Sequence, residues 1–223
     1  STQKAISFYS KYVKGELHAT NARTAEMCKL VENSSRDVQI AFANELSLIC
    51  DKADINVWEL INLANKHPRV HILQPGCGVG GHCIAVDPYF IVSNYPLESK
   101  IISTAREVNN YKSFWCAEKI NNETLKFELK EKRKPKIAIL GLSFKPNIDD
   151  LRESPAVSIA NRVMSTYPAN LTLFVEPNIQ FHPDFELTSI ENAELNSDLL
   201  FILVAHNEFK DVKSTNVISF VNI

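Results

Sequence analysis

Glycine is scarce in this 223-residue sequence: six residues, where ordinary usage would give about fifteen. A chain this sparing keeps glycine for places where the backbone needs positive φ or must approach something closely. Four of the six, Gly76, Gly78, Gly80 and Gly81, fall inside PGCGVGGHC (75–83), which marks that stretch as a special loop. An excess of charge of one sign is also lacking. With 24 Lys and Arg against 26 Asp and Glu, the formal net charge is −2, which removes the electrostatic footprint of a nucleic-acid or acidic-membrane binder. Long hydrophobic runs are missing. The longest, Leu199 to Ala205, has seven residues, whereas a membrane span needs about 20. The opening STQKAISFYSKY is polar throughout, without the apolar h-region of a signal peptide. Five cysteines (Cys28, Cys50, Cys77, Cys83, Cys116) are an odd number at irregular spacing, not a disulfide framework; reduced thiols in the cytoplasm are the expectation.

What is present divides the chain in two. No Gly or Pro interrupts Arg23 to Lys52, and Met27, Leu30, Val31, Ser34, Val38, Ala41, Glu45, Leu48 and Ile49 form a 3.6-residue stripe broken at Glu45. A helix of about 30 residues capped by Thr24 follows, long enough to be a spine between domains or subunits. A shorter helix is expected from Val57 to Lys66. Asp87-Pro88 reads as carboxylate N-cap and Pro at N1, and a second long helix as about Leu97 to Lys130. The charged, Pro-containing EKRKPK (131–136) is the clearest domain boundary. Beyond it the period changes. KIAILGLSF (136–144) is a continuous apolar run typical of a buried parallel strand; a helix opens at Ser154-Pro155 and runs to about Met164. LTLFVEP (171–177), LLFILVA (199–205) and NVISFV (216–221) are further strands. The fold class is α/β: an all-helical middle with a long spine helix, then a small doubly wound, Rossmann-like domain. STQKAISFYSKYV, a helix, and ELHATN, a short strand-like piece, resemble the end of another domain.

Three groups of residues invite chemistry. Cys83 ends the glycine loop, beside amides free to face an oxyanion and just before a helix whose N-terminus is partly positive. It reads as a nucleophile, as a small buried hydrophobe in a tight turn, or as part of a metal site with Cys77, His82 and Asp87, whose spacing fits no common zinc pattern. Lys29 and Asn33 stand four apart on the long helix, one above the other. They fall off the apolar stripe, beside Glu26 and Arg36, so periodicity alone makes them a solvated face. Lys145, Asp149, Asp150 and Arg152 leave the carboxyl end of the first strand of the second part, where ligands of open α/β sheets bind. They suit a pyrophosphate, or simply close a polar loop with an Asp–Arg pair. No GxGxxG follows that strand, so a dinucleotide site there is unsupported.

Three long motifs in order, AEMCKLVENSSRDVQIAFANEL (25–46), PGCGVGGHCIAVDPYF (75–90) and GLSFKPNIDDLRESPA (141–156), resemble the UDP-glucose/GDP-mannose dehydrogenase family. The GGHC form of the loop is similar to the branch that makes N-acetylhexosaminuronates. The resemblance implies three parts: 1–21 as the last helix and strand of an NAD-binding domain, 22–131 as a helical dimerisation region with the Cys loop, and 132–223 as a UDP-sugar-binding α/β domain ending short of the family's usual terminus. It implies four-electron oxidation of UDP-N-acetyl-D-mannosamine at C6 in bacterial surface-polysaccharide synthesis, with UDP-N-acetylglucosamine, or a non-catalytic UDP-sugar-binding or dimerisation module, as the alternatives. Cys83 then matches the residue forming a thiohemiacetal and thioester, Lys29 and Asn33 the pair holding alkoxide and water, and Asp87 the carboxylate for water or base chemistry. Phe144 and Lys145, with Gly80 and Gly81, match UDP-sugar contacts. Arg69 resembles an arginine given across a dimer interface, and Arg152 one that reaches the cofactor. NAD would be held mainly by a domain this chain lacks, so these residues alone are expected to be inactive. A cytoplasmic homodimer through 23–52 is implied, with no metal, nucleic acid or membrane partner.

Overall fold

The computed structural model describes residues 2–223. Helix α1 (Thr2–Tyr9) is followed by exposed, irregular chain, so the strand-like reading of ELHATN is not met. Helix α2 (Ala22–Ala53) matches the expected spine, but its cap is Asn21, whose side chain accepts the Thr24 amide at 2.9 Å. Helices α3 (Val57–Ala64), α4 (Asp87–Asn94) and α5 (Lys100–Glu131) complete the helical part. Asp87 is inside α4; the N-cap is Val86, without a side-chain bond, which leaves the Asp87 carboxylate for other work. Both long helices end on a left-handed non-glycine residue, Asp54 at φ 55° and Lys132 at φ 56°.

α2 and α5 run side by side in one direction, and their seam corrects the expected stripe. Val31, Phe42 and Ile49 are 49 %, 54 % and 53 % exposed, and Glu45 is exposed too. The buried face is instead largely polar: Asn33, Ser34, Asp37, Asn44 and Ser47. Polar residues tolerate burial here because each has a partner: Asn33 on α4, Ser34 on the carbonyl of Leu30, and Asp37, Asn44 and Ser47 on α5. Arg106 Nη1 donates to Asp37 Oδ1 at 2.7 Å, Asn44 Nδ2 to Asn109 Oδ1 at 2.9 Å, and Lys112 Nζ to Ser47 Oγ at 2.8 Å.

After α5 come β1 (Ile137–Leu140), α6 (Pro155–Met164), β2 (Thr172–Val175), α7 (Ile190–Asn196), β3 (Leu199–Ile202) and β4 (Val217–Ser219). The four strands form one parallel sheet in the order β2-β1-β3-β4. Every β1 residue is buried, as a continuous apolar run requires of a sheet covered on both faces. Ile137 and Ile139 pack with Ile159 and Val163 of α6 and with Cys116 and Ile120 of α5. Ala138 and Leu140 face Ala193 of α7 and Phe209. Thus the second half of α5 covers the sheet, and packing crosses the EKRKPK turn. Strand order reverses between β1 and β3, so the ligand crevice of such a sheet lies beyond their carboxyl ends. Among the described residues, no helix is long and apolar enough to cross a membrane.

Candidate active site

The glycine loop is where the helical part meets the sheet. Gly78, at φ +134°, lies on α5: a Cβ there would come within 2.5 Å of Ser113 Oγ and 3.0 Å of the Asn109 carbonyl oxygen. Gly81, at φ +80°, faces the Phe144 ring, and a Cβ would reach Cε2 at 2.8 Å. The Gly81 amide donates to the Arg152 carbonyl at 3.1 Å, so this amide is engaged and not free for an oxyanion. The loop therefore seals against the β1–α6 segment that carries Phe144, Lys145 and Arg152.

Cys83 follows and is exposed, which excludes the buried-hydrophobe reading. Its carbonyl accepts the amides of Val86 at 3.1 Å and Asp87 at 2.8 Å, a tight turn that aims the chain into α4. One turn on, Asp87 Oδ2 accepts Asn33 Nδ2 at 2.5 Å, and Asn33 Oδ1 receives Lys29 Nζ at a long 3.4 Å. The solvated-face expectation is thus overturned for Asn33, only 9 % exposed, while Lys29 remains exposed. The structure brings an amine, an amide and a carboxylate into one chain of contacts, the carboxylate standing one turn beyond Cys83 in the chain.

The β1–α6 segment supplies opposite charge. Arg152 grips Asp150, Nε to Oδ1 at 3.0 Å and Nη2 to Oδ2 at 2.6 Å. Hydrogen bonds from the Arg152 side chain and then its backbone amide, reinforced by the charges of Arg152 and His82, hold the Asp150 carboxyl at about 2. The hydrogen bonds and charge of Asp150 raise the Arg152 guanidinium. Lys145 is exposed, and its ammonium has no hydrogen-bond or ion-pair partner among the described residues, while its carbonyl accepts Ser143 Oγ at 2.7 Å. A cleft of about 340 Å³, lined by Gly76, Cys77, Ser143, Phe144, Pro155 and Val204 among others, opens between the glycine loop and the ends of β1 and β3. Arg69 is exposed on the segment before the glycine loop, and the structure does not bring its side chain to Cys83 through any bond.

Sequence reasoning missed a buried network under this cleft. Glu176, just past β2, accepts the amides of Leu142 at 2.7 Å and Ser143 at 3.0 Å on Oε2, and lies 3.1 Å from His206 Nε2. Burial pushes its carboxyl up, but the His206 hydrogen bond and the Leu142 and Asn178 amides overcome this and hold it at about 2. An acidic residue directly after one buried run (VEP) and a histidine after another (LVAH) were the available signals. The Leu142 and Ser143 amides stand in the first strand-to-helix segment, where a Rossmann sheet takes a pyrophosphate. Here the chain's own carboxylate fills them.

Among the described residues, neither a dinucleotide cradle nor a metal cluster is built elsewhere. Gly76, Gly78 and Gly81 spell GxGxxG, but irregular chain precedes them where the fingerprint needs a strand. No three His, Cys, Asp or Glu groups converge as metal ligands among the described residues. Cys77 is buried, with Sγ on the Leu203 carbonyl at 3.3 Å, and so stands apart from exposed His82 and Cys83.

Two family signatures match in chain order: the UDP-glucose/GDP-mannose dehydrogenase family central domain over residues 23–111, and its UDP binding domain over 138–222. The chain is 56 % identical over 223 residues to UDP-N-acetyl-D-mannosamine dehydrogenase of Campylobacter jejuni, covering 97 % of this chain and 53 % of that protein. It is 49 % identical over 226 residues to NDP-N-acetyl-D-galactosaminuronic acid dehydrogenase of Ralstonia solanacearum, covering 100 % and 52 %. The solved UDP-D-ManNAc dehydrogenase of Pyrococcus horikoshii superposes with a TM-score of 0.85 at 35 % identity, over 99 % of this chain and 53 % of that one. The chain spans about half the length of the curated relatives it matches. Both signatures, the motif order and the shared fold agree: the chain belongs to the UDP-glucose/GDP-mannose dehydrogenase family.

Proposed function

We propose that this chain is the catalytic-thiol and UDP-binding portion of a cytoplasmic, NAD-dependent dehydrogenase that oxidises UDP-N-acetyl-D-mannosamine at C6 to the uronate. The observation that carries the reading is the Lys29–Asn33–Asp87 chain, by which the long helix meets the carboxylate that stands one turn beyond an exposed cysteine. Residues 22–131 are the helical unit that bears this site, and 132–223 the unit that takes the nucleotide.

The described residues form no cradle for NAD, so its binding is assigned outside them, with Arg152 as the group placed to touch it. NAD supplies the hydride acceptor for the oxidations. The chain's own part is addition and hydrolysis. Cys83 Sγ bonds to the C6 aldehyde carbon, and the carbonyl electron pair moves to oxygen, where Lys29 and the Asn33 amide stabilise the developing charge. At the thioester stage water adds to the same carbon, the C–S bond breaks, and the thiolate leaves with the electron pair. Asp87 orients that water and takes its proton. Phe144 and Lys145 hold the UDP-sugar, the Lys145 ammonium facing phosphate oxygens, with Gly80 and Gly81 shaping the wall. Arg69 reaches the sugar bound by a second copy.

A second reading, oxidation of another C2 or C4 epimer of a UDP-N-acetylhexosamine, is favoured by the 49 % identity to a galactosaminuronate-forming relative. One experiment tests both. In the complete enzyme containing this chain, NADH release is measured per UDP-N-acetyl-D-mannosamine and per its gluco and galacto epimers. Two NADH per mannosamine nucleotide are expected. The Cys83→Ser enzyme should lose uronate formation by at least about a thousandfold, the scale of removing a covalent catalyst. Wild-type turnover in that variant, or one NADH per sugar, sinks the thioester route. Preference for another epimer transfers the substrate assignment.

A further inference from the structure

We infer that His206 is a positioning residue for the nucleotide site: a neutral imidazole that pins the 142–147 loop so that Lys145 is presented to a diphosphate. The inference rests on the reading of Lys145 given above.

His206 lies just past β3 and is fully buried. Its Nδ1 receives the Asn147 backbone amide at 2.9 Å. A backbone N–H can only donate, so Nδ1 carries the lone pair and the ring proton sits on Nε2. Nε2 faces Glu176 Oε2 at 3.1 Å and Ser143 Oγ at 3.2 Å. With that proton donated, Ser143 Oγ is left to donate its own hydrogen to the Lys145 carbonyl at 2.7 Å. Asn147 Oδ1 accepts the Asn207 amide at 2.9 Å, tying the far end of the loop to the residue after His206. Asn178 Nδ2, 3.0 Å from Nδ1, closes the ring of contacts.

The loop is therefore fixed at Leu142 and Ser143 by Glu176 and at Asn147 by His206, with Ser143 carrying the brace on to Lys145; Ser154 and Asp150 add bonds of their own at Leu142 and Phe144. Asn147 needs such support, because it holds φ +60°, a conformation that strains a residue with a side chain. Lys145 is a free charge on a braced backbone. A cation placed in advance on its ligand binds more tightly than one that must be ordered on binding.

The test uses calorimetric titration of UDP into the 223-residue chain, with amide hydrogen exchange of 142–147 read in the same samples. Ser143→Ala, which removes one neutral hydrogen bond, should weaken UDP about fivefold. His206→Ala should weaken it about tenfold or more and accelerate exchange at Leu142, Ser143 and Asn147. His206→Asn puts an acceptor oxygen where Nδ1 stands, so it should restore Asn147 protection and most of the affinity. Lys145→Met should lose affinity with protection unchanged, which separates the positioned group from its positioner. If His206→Ala does not fold, Ser143→Ala and His206→Asn decide. Wild-type affinity in Ser143→Ala and His206→Ala, or equal damage in His206→Asn and His206→Ala, overturns the inference. Failure of the unmodified chain to bind millimolar UDP overturns the nucleotide reading and the positioning role with it, while exchange still reports whether His206 pins the loop.

Discussion

At Glu176 burial and hydrogen bonding pull in opposite directions, and the acid range shows which prevails. A carboxylate with folded pKa near 2, against an ordinary 4.5, is bound by fewer protons folded than unfolded below about pH 5. Its contribution is complete above 4.5 and is lost as pH falls from 4.5 towards 2. At about 1.4 kcal/mol per pK unit this amounts to about 3 kcal/mol. Asp37 acts the other way: burial raises it above its ordinary 3.8 despite Arg106, so its contribution is complete below 3.8 and is lost as pH rises through its raised folded value. Of these two buried carboxyls, Glu176 is therefore the acid-sensitive one. Urea denaturation at pH 7 and pH 3 should show a smaller acid loss in Glu176→Gln than in the unmodified chain, by about 2 kcal/mol, because at pH 3 the native carboxylate is still mostly ionised. Equal losses would mean that Glu176 titrates as an exposed carboxylate. Neither this residue nor its role was legible in the sequence, because Glu176 and His206 are 30 positions apart and meet only once β2 and β3 flank β1. The special loop before Cys83 was legible, because four of the six glycines cluster there, while the exposure of the thiol needed the structure.

Among the elements, length and type were readable and facing was not. The span of α2 shows in 30 residues without Gly or Pro, and β1 in an unbroken apolar run. The face that α2 buries does not show, since Asp37 and Arg106 are partners 69 positions apart and each looks solvated in its own segment. The same blindness hid the Asn33–Asp87 contact, which periodicity assigned to a solvated face and only the motif resemblance associated with chemistry. The seam has a measurable consequence. Arg106 is 5 % exposed, and its Nε and Asp37 Oδ2 lack any partner. Asp37→Ala would strand a buried guanidinium and release Asn109, so denaturation should show a loss of about 3–5 kcal/mol. Replacing both Asp37 and Arg106 by leucine should cost far less, since the penalty arises from the unpaired charge and not from absence of the pair. A cost below about 1 kcal/mol for Asp37→Ala would mean that water reaches the seam.

For the whole molecule, polarity is inverted along the spine: polar residues are inside the α2–α5 seam, and Val31, Phe42 and Ile49 are outside it. Ile101 of α5, 73 % exposed, joins Phe42, Val38 and Val108 around an apolar groove of about 320 Å³ between the two helices. We propose this face as an association surface, because contiguous exposed apolar residues on a soluble domain serve such contacts. A second copy is the expected occupant, because an isologous contact buries the same face twice and a 32-residue helix offers the length. Sedimentation at micromolar concentration should then give twice the 25.1 kDa of one chain. Phe42→Glu should reduce it to one chain while leaving urea stability within about 0.5 kcal/mol per protomer once dissociated, since the side chain is already 54 % exposed. A monomeric mass for the unmodified chain would refute the contact. A dimer indifferent to Phe42→Glu would move it off this face of α2.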